Sequence, residues 1–206
     1  MTARAHPSSA SSLRLYGRRV TLRPLVPSDH AAWSEVRRRN HEWLTVWEPS
    51  RPLLSVDPVT DRDAFANRCA ARDRERQMGT ACGLGLFIDG AFAGEVNLNN
   101  ITRGAMQSAT IGYWIDQARA GHGYVAEGVV VLARHAFEEL SLHRLEICII
   151  PRNHNSRRVM EKLEFRAEGV AKGLVEINGV WEDHIRYGVT VEEWYERRAE
   201  LAAVWL

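Results

Sequence analysis

The chain has 206 residues, 45% of them hydrophobic, and a formal net charge of +1 at pH 7. This length and apolar content suffice for one domain with a packed core, and the nearly neutral charge gives no electrostatic reason to expect a nucleic-acid partner. No apolar run approaches the roughly 18 residues of a membrane-spanning helix, so we expect no membrane association.

The polar N-terminal segment and the cysteine usage indicate a cytoplasmic protein. Residues 1–12 lack the apolar segment of a signal peptide and predict a disordered polar tail. Residues 13–206 contain no internal repeat or linker, which predicts a single domain. Cys69, Cys82 and Cys148 are far apart and odd in number, so neither a disulfide framework nor a metal site is expected.

Hydrophobic periodicity and turn residues predict strands that alternate with helices. The N-terminal strand is ended by Pro27, and Ser28 or Asp29 then caps a helix. The basic run 37–39 near the end of this helix predicts a solvated face. The predicted order is strand 13–25, a helix from 28 or 29, an irregular aromatic segment at 43–49, helix 60–78, strands 82–88, 92–101 and 110–116, a helix from 123, strand 145–150, helix 153–163, strands 165–177 and 180–190, and helix 191–205.

Two dipeptides predict tight hairpins between these strands. Asp89-Gly90 and Asn178-Gly179 each separate two apolar runs, the strongest short signal for a type I′ turn. Helices interleaved with hairpins predict a mixed sheet and not a purely parallel one.

The most informative stretch runs from residue 111 to residue 124. An apolar strand leads into a loop with Gly121 and Gly123, and the loop opens a helix. Glycine lets the backbone approach a ligand closely, and the first amides of a helix lack partners and attract phosphate. This junction predicts a site for a phosphate-bearing cofactor, with Arg119 and His122 as possible side-chain donors.

The same loop formally satisfies a dinucleotide-binding fingerprint. Residues 121–126, GHGYVA, match G-x-G-x-x-A, and Glu146 stands near the place of a ribose-binding acid. A dinucleotide-binding unit, however, normally begins its domain, has parallel strands that a tight hairpin forbids, and needs a shorter loop. These features disfavour a nicotinamide or flavin cofactor.

Four stretches resemble the GNAT acyltransferase superfamily, and within it the RimJ/RimL branch of protein N-terminal acetyltransferases. They are IGYWI at 111–115 with GHGYVAEG at 121–128, LHRLE at 142–146, PRNHNS at 151–156 with EKLEF at 161–165, and NGVWEDH at 178–184. The resemblance covers about residues 13–190. Two positions depart from it, because Ala118 stands where Gln or Arg is usual and Glu164 replaces the glycine before Phe165.

The resemblance implies an α/β fold with a mixed, mostly antiparallel sheet of about seven strands, flanking helices and a splayed central strand pair. It also implies acetyl-CoA as cofactor, with pantetheine lying along the splayed strand and pyrophosphate on the glycine loop. The implied cofactor-binding residues are Tyr113, Trp114, Ile115, Arg119, Gly121, His122, Gly123, Tyr124, Asn153 and Ser156.

Three side chains are candidates for proton transfer. Ser156 occupies the position that protonates the departing CoA thiolate in related enzymes, although a hydroxyl there can instead satisfy the first helical turn. Glu95 lies on a strand that could face the acceptor, and Glu176 adjoins the position of a family glutamate but alternates to the opposite face unless a bulge intervenes. Either glutamate could simply be solvated. Glu127, near a positive helix end, is more readily structural.

The acceptor amine is constrained by its pKa. An α-amino group, with a pKa near 7.7–8.0, is partly neutral at pH 7, whereas a lysine amine, near 10.4, needs more help from a base. Direct transfer to a protein N-terminus, by resemblance that of a ribosomal protein, is therefore favoured. A small-molecule amine (an amino acid, polyamine or aminoglycoside) and a non-catalytic acyl-CoA-binding module are the alternatives, and the chain is expected to be a monomer or homodimer. Trp43, Trp47 and Trp181 could line the acceptor groove, but each is more readily explained as core.

Overall fold

The computed structural model describes residues 13–52 and 55–206, so the predicted tail at 1–12 lies outside the described residues. The described strands are β1 (Leu15–Tyr16), β2 (Val20–Arg23), β3 (Cys82–Ile88), β4 (Ala91–Thr102), β5 (Ser108–Ile115), β6 (Arg144–Ile149), β7 (Arg166–Ile177) and β8 (Val180–Thr190). The described α-helices are α1 (His30–Arg39), α2 (His41–Thr45), α3 (Arg62–Gln77), α4 (Tyr124–Arg134), α5 (His154–Leu163) and α6 (Val191–Trp205).

The strands form one mixed sheet in the order β1-β2-β3-β4-β5-β6-β8-β7. Neighbouring strands are antiparallel except for β5 and β6, which are parallel. These two strands pair only from Ser108 opposite Arg144 to Thr110 opposite Glu146. The rest of β5 therefore has no ladder partner on its β6 side, which confirms the splayed central pair.

Two hydrophobic clusters pack helices against opposite faces of the sheet. The larger includes α4, whose residues 125–133 are all buried, together with side chains of α5 and α6. The smaller places Trp33 of α1 and Phe65 of α3 against Phe87 and Phe92. None of the described helices is long and apolar enough to cross a lipid bilayer.

The prediction of one strand over residues 13–25 was wrong, because a turn separates β1 from β2. A Cβ on Gly17 would lie 2.7 Å from Oε1 of Glu127, so the turn is built around that buried carboxylate. Glu127 Oε1 accepts hydrogen bonds from the backbone N–H groups of Arg19 (2.5 Å) and Val20 (3.0 Å). This split explains why the sheet has eight strands instead of about seven, and it gives Glu127 the expected structural role.

The prediction of irregular structure at 43–49 was also wrong in part, since α2 occupies its first residues. Asn40, at the α1–α2 junction, is 1% exposed, and its Nδ2 donates to Asp116 Oδ1 (2.8 Å) and to the Val36 carbonyl (2.8 Å). A contact with a distant part of the chain thus fixes where α2 begins.

The predicted tight turns are confirmed. Asp89 and Gly90 have φ of 50° and 78°, and Asn178 and Gly179 have φ of 51° and 82°, the two positive values that a type I′ turn requires. Glu164, in place of the usual glycine, also adopts a left-handed conformation, with φ of 52°, after α5. The turn is therefore retained at a steric cost of roughly 1–2 kcal/mol.

Candidate active site

A cleft of about 320 Å³ opens beside the splayed end of β5. We call it the splay cleft; its walls are the end of β5, the glycine loop with the start of α4, residues 43–48, and one face of α5. Nine of the ten predicted cofactor-binding residues line it, and the exception is His122. The cleft also includes Trp43 and Trp47, which were candidates for the acceptor groove.

The glycine loop presents open backbone to this cleft. Gly121 and Gly123 have φ of 84° and 85°, the left-handed region that favours glycine. No heavy atom lies within 4 Å of the position that a Cβ on Gly121 would take. Gly123 is the N-cap of α4 and has no side-chain cap, so the first amides of the helix remain available to an anion.

Asp116 anchors the start of this loop. The residue is 2% exposed, and its carboxylate accepts hydrogen bonds from Arg39 Nη2 (2.5 Å), Asn40 Nδ2 (2.8 Å) and the Ala118 N–H (3.3 Å). Asn40 Oδ1 in turn accepts from the Gln117 N–H at 2.9 Å. Sequence reasoning missed Asp116; the available signal was an acidic residue placed directly between a strand and a ligand loop.

Arg19 holds the far end of the loop. Its Nε donates to Glu127 Oε2 (2.8 Å) and its Nη1 to the His122 carbonyl (3.1 Å), while its guanidinium lies 4.8 Å from the centre of the Tyr124 ring. The His122 ring is stacked on Tyr124 at 5.8 Å, with Nδ1 2.9 Å from the Ala120 carbonyl. His122 therefore supports the loop but does not face the splay cleft.

The α5 wall holds Asn153 and Ser156. Asn153 is the N-cap of α5, and its Oδ1 accepts from the Ser156 N–H at 3.1 Å. Within the described residues the Ser156 hydroxyl has no hydrogen-bond partner, so the cap belongs to Asn153 and not to Ser156. Tyr113 donates its hydroxyl to the Ser156 carbonyl at 3.2 Å, and burial raises the pKa of this phenol, which keeps it protonated.

The charges in the splay cleft suit a polyanion. Arg119 lies on one wall and Arg158 and Lys162 lie on the α5 wall, and none of the three has a carboxylate partner among the described residues. The one carboxylate that lines the cleft is Glu48, and Arg37 binds both of its oxygens. Three cations without partners on facing walls attract phosphate groups.

A second cavity, of about 680 Å³, lies on the other side of β5, between α1, α3 and residues 45–51 and 57–60. We call it the arginine cavity, because it is lined by five arginines: Arg37, Arg38, Arg51, Arg68 and Arg72. Its three carboxylates, Glu48, Asp57 and Glu95, are each paired with one of these arginines. The prediction of a solvated face at 37–39 is wrong for Arg37, whose side chain is 16% exposed.

The two candidate glutamates lie in different surroundings. Glu95 lines the arginine cavity from β4 and is 2% exposed, and it accepts hydrogen bonds from Trp33 Nε1 (2.7 Å) and Arg68 Nη2 (2.6 Å). Glu176 is exposed on β7, opposite Trp181, and lines neither cavity. Trp181 itself is 66% exposed and lines neither cavity.

Comparison with known proteins decides the family. Residues 19–166 match the family defined as an acetyltransferase (GNAT) domain. The chain belongs to the GNAT acetyltransferase family. It is therefore an N-acetyltransferase, and like other GNAT enzymes it uses acetyl-CoA as acetyl donor.

Individual relatives of this GNAT enzyme cover nearly its whole length. A probable N-acetyltransferase of Bacillus subtilis, YjcK, is 34% identical over 82% of this chain and 93% of its own. The ribosomal protein uS5-alanine N-acetyltransferase of Escherichia coli is 27% identical over 91% of this chain and 95% of its own. The structure of Mycobacterium smegmatis RimJ in complex with CoA-disulfide is similar with a TM-score of 0.83 at 30% identity, over 94% of this chain and 97% of that one.

The residues present fit the cofactor of the family. The free β6-facing edge of β5 offers backbone groups to the amides of pantetheine. The open amides at Gly121–Tyr124 and the three cations without partners offer donors and charge to its phosphates.

Proposed function

We propose that this enzyme transfers the acetyl group directly to the N-terminal α-amine of a protein, with a ribosomal protein as the leading acceptor. The observation that carries the proposal is the charge of the arginine cavity, which holds five arginines against three carboxylates. A polycationic acceptor such as a polyamine or an aminoglycoside would be repelled there. A peptide N-terminus brings a single amine, partly neutral at pH 7. The similarity to the E. coli uS5-alanine N-acetyltransferase supports the same acceptor class.

In the proposed mechanism the splay cleft fixes the donor. Acetyl-CoA supplies an already activated thioester, so the protein chiefly brings the amine to it in the right orientation. Backbone groups of Trp114 and Ile115 bind pantetheine, and the amides of Gly121, Gly123 and Tyr124 bind pyrophosphate. The cations Arg119, Arg158 and Lys162 neutralise the phosphates.

Proton transfer is assigned to two side chains. Ser156 would donate its hydroxyl proton to the departing thiolate and regain a proton from water; this role is supported by its place on the cleft wall and by a hydroxyl that has no partner among the described residues. Glu95 acts as base through water, because its burial keeps it from direct contact with the amine, while Trp33 and Arg68 hold its carboxylate in place. Glu176, which lines neither cavity, has no role in this proposal.

The test is a peptide panel with turnover followed by thiol release and mass spectrometry. Peptides that begin with Ala or Ser should be acetylated on the α-amine, and kcat/KM should rise through pH 7 to 8 and level off near the α-amino pKa. A peptide with a blocked N-terminus and a free internal lysine should be inert. Comparable acetylation of that lysine, or turnover of polyamines without turnover of peptides, would exclude the proposed acceptor.

A further inference from the structure

Glu48 lies where the two cavities meet. Of the described residues that line the arginine cavity, only Glu48 and Trp114 also line the splay cleft. An acceptor that enters through the arginine cavity must pass these two residues to reach a thioester held along β5. Glu48 is therefore the one carboxylate among the described residues that lines both cavities.

Arg37 holds Glu48 in a fixed orientation at this crossing point. Arg37 Nη1 and Nη2 donate to the two Glu48 oxygens at 2.7 and 2.6 Å, and the guanidinium lies 5.0 Å from the centre of the Trp114 ring. Burial lowers the pKa of Arg37. The hydrogen bonds to Glu48 and the negative charge of Glu48 outweigh this effect, so that the pKa of Arg37 is raised. Each carboxylate oxygen keeps a second lone pair, so Glu48 can still accept a hydrogen bond from a ligand.

Exposure and position together distinguish Glu48 from the other two carboxylates of the arginine cavity. The Glu48 side chain is 32% exposed, whereas that of Glu95 is 3% exposed. Asp57 is accessible and likewise paired with an arginine, Arg51, but it lines only the arginine cavity. Glu48 thus combines an accessible negative charge with a position beside the splay cleft, in surroundings where arginines predominate.

We infer that Glu48 binds the α-amine of the acceptor by accepting a hydrogen bond from it, and so holds the nucleophile at the mouth of the splay cleft. This assignment rests on the proposed function, since it requires an amine acceptor that crosses from the arginine cavity. It adds a substrate contact that is independent of the base Glu95 and of the proton donor Ser156.

The test compares an Ala-initiated peptide with its des-amino analogue, in which hydrogen replaces the α-amine. Binding of both to the enzyme saturated with CoA is measured by calorimetry for the wild type and for Glu48→Gln. For each protein, the ratio of the affinity of the peptide to that of its des-amino analogue gives the contribution of the amine. This ratio should be about tenfold larger for the wild type than for Glu48→Gln, as expected for a charged hydrogen bond. Asp57→Asn is the matched control and should keep the wild-type difference. Glu48→Asp, which keeps the charge on a shorter side chain, should give an amine contribution between those of the wild type and Glu48→Gln. It replaces Glu48→Gln in the test if that variant does not fold.

A merely structural Glu48 would give a different pattern. If the residue only holds Arg37, then Glu48→Gln and Arg37→Gln should weaken both ligands equally and leave the amine contribution unchanged. That result, together with normal peptide turnover by the wild type, would overturn the Glu48 assignment and leave the proposed function intact. A wild-type enzyme that neither binds nor acetylates any peptide would overturn both.

Discussion

Arg39 and Asp116 join the first helix of the chain to the loop that opens α4. Arg39 Nη2 lies 2.5 Å from Asp116 Oδ2 although the two residues are 77 positions apart. Arg39 also binds Glu35 on the surface of α1, at 2.6 Å. One arginine thus connects an exposed helix face to the buried anchor of the cofactor loop.

Replacing Asp116 by Asn should weaken both the fold and the cofactor site. The substitution keeps the size of the side chain but removes the charge that Arg39 and Asn40 bind, so we expect a loss of about 2 kcal/mol of unfolding free energy. Acetyl-CoA should bind less tightly, because the loop at 117–123 loses its anchor. Urea denaturation and calorimetric titration measure the two effects. Glu35→Gln, which removes the exposed partner of the same arginine, should cost only about 0.3 kcal/mol and leave affinity unchanged; equal losses in both variants would contradict the anchor.

Acid should unfold the protein partly through two carboxylates, those of Asp116 and Glu146. For Asp116 burial raises the pKa, but hydrogen bonds from Arg39 and Asn40 outweigh it, so the pKa lies below its ordinary 3.8. The pKa of Glu146 likewise lies below its ordinary 4.5, because hydrogen bonds from Arg144 and Arg186 outweigh the effect of burial. A lowered folded-state pKa means that the stabilisation is complete above the ordinary value and is lost as pH falls through the folded value.

We therefore expect the unfolding free energy to fall as pH decreases below about 4.5, and to fall less steeply in Asp116→Asn. Urea denaturation of both proteins between pH 6 and pH 3 measures the slopes. Parallel curves would show that Asp116 does not contribute to acid sensitivity.

Elements set by local chemistry were predictable from the sequence. Strand 82–88 and helix 191–205 were predicted with the bounds that the structure gives, and both type I′ turns follow from their dipeptides. The first strand and α2 were not, because the contacts that shape them are long-range. Glu127 is 108 residues from the turn it organises, and Asp116 is 76 residues from Asn40.

The candidate site was likewise predictable where its residues are close in sequence, and not where they come from distant elements. The end of β5, the glycine loop and the α5 wall are each a contiguous motif, and nine of the ten residues proposed from these motifs line one cleft. The arginine cavity draws Arg37 from α1, Glu48 from the segment after α2, and Arg68 from α3. The hydrophobic pattern of the sequence does not predict that α1, α3 and the segment after α2 lie beside β5. The i, i+4 spacing of Arg68 and Arg72 was the one local signal of a shared face.

Gly121 should matter for cofactor binding beyond its backbone conformation. Gly121 and Gly90 have φ of 84° and 78°, and neither has a heavy atom within 4 Å of a would-be Cβ. Replacing either by Ala should therefore cost a similar 1–2 kcal/mol or so of unfolding free energy. Only Gly121 lines the splay cleft, so only Gly121→Ala should lower acetyl-CoA affinity, by about tenfold, as the methyl group keeps phosphate from the amides. Titration of both variants compares them directly, and equal affinities would remove Gly121 from the pyrophosphate site.

Ser156→Ala should slow the chemical step with little effect on donor binding. The hydroxyl has no partner within the described residues and Ser156 lines the cleft, so removal of the hydroxyl should leave the fold intact. Protonation of the thiolate matters only as the bond breaks, and kcat should therefore fall by about 10²–10⁴-fold while KM for acetyl-CoA changes little. Steady-state kinetics of thiol release gives both constants.

Asn153→Ala separates this chemical role from helix capping. Asn153 Oδ1 accepts the Ser156 N–H, so its loss should cost about 1 kcal/mol of unfolding free energy, whereas Ser156→Ala should cost almost none. If Ser156→Ala instead lowered stability and left kcat unchanged, the hydroxyl would belong to the helix terminus. The departing thiolate would then take its proton from water or from another group on the cleft wall, such as Tyr113, whose hydroxyl lies 3.2 Å from the Ser156 carbonyl.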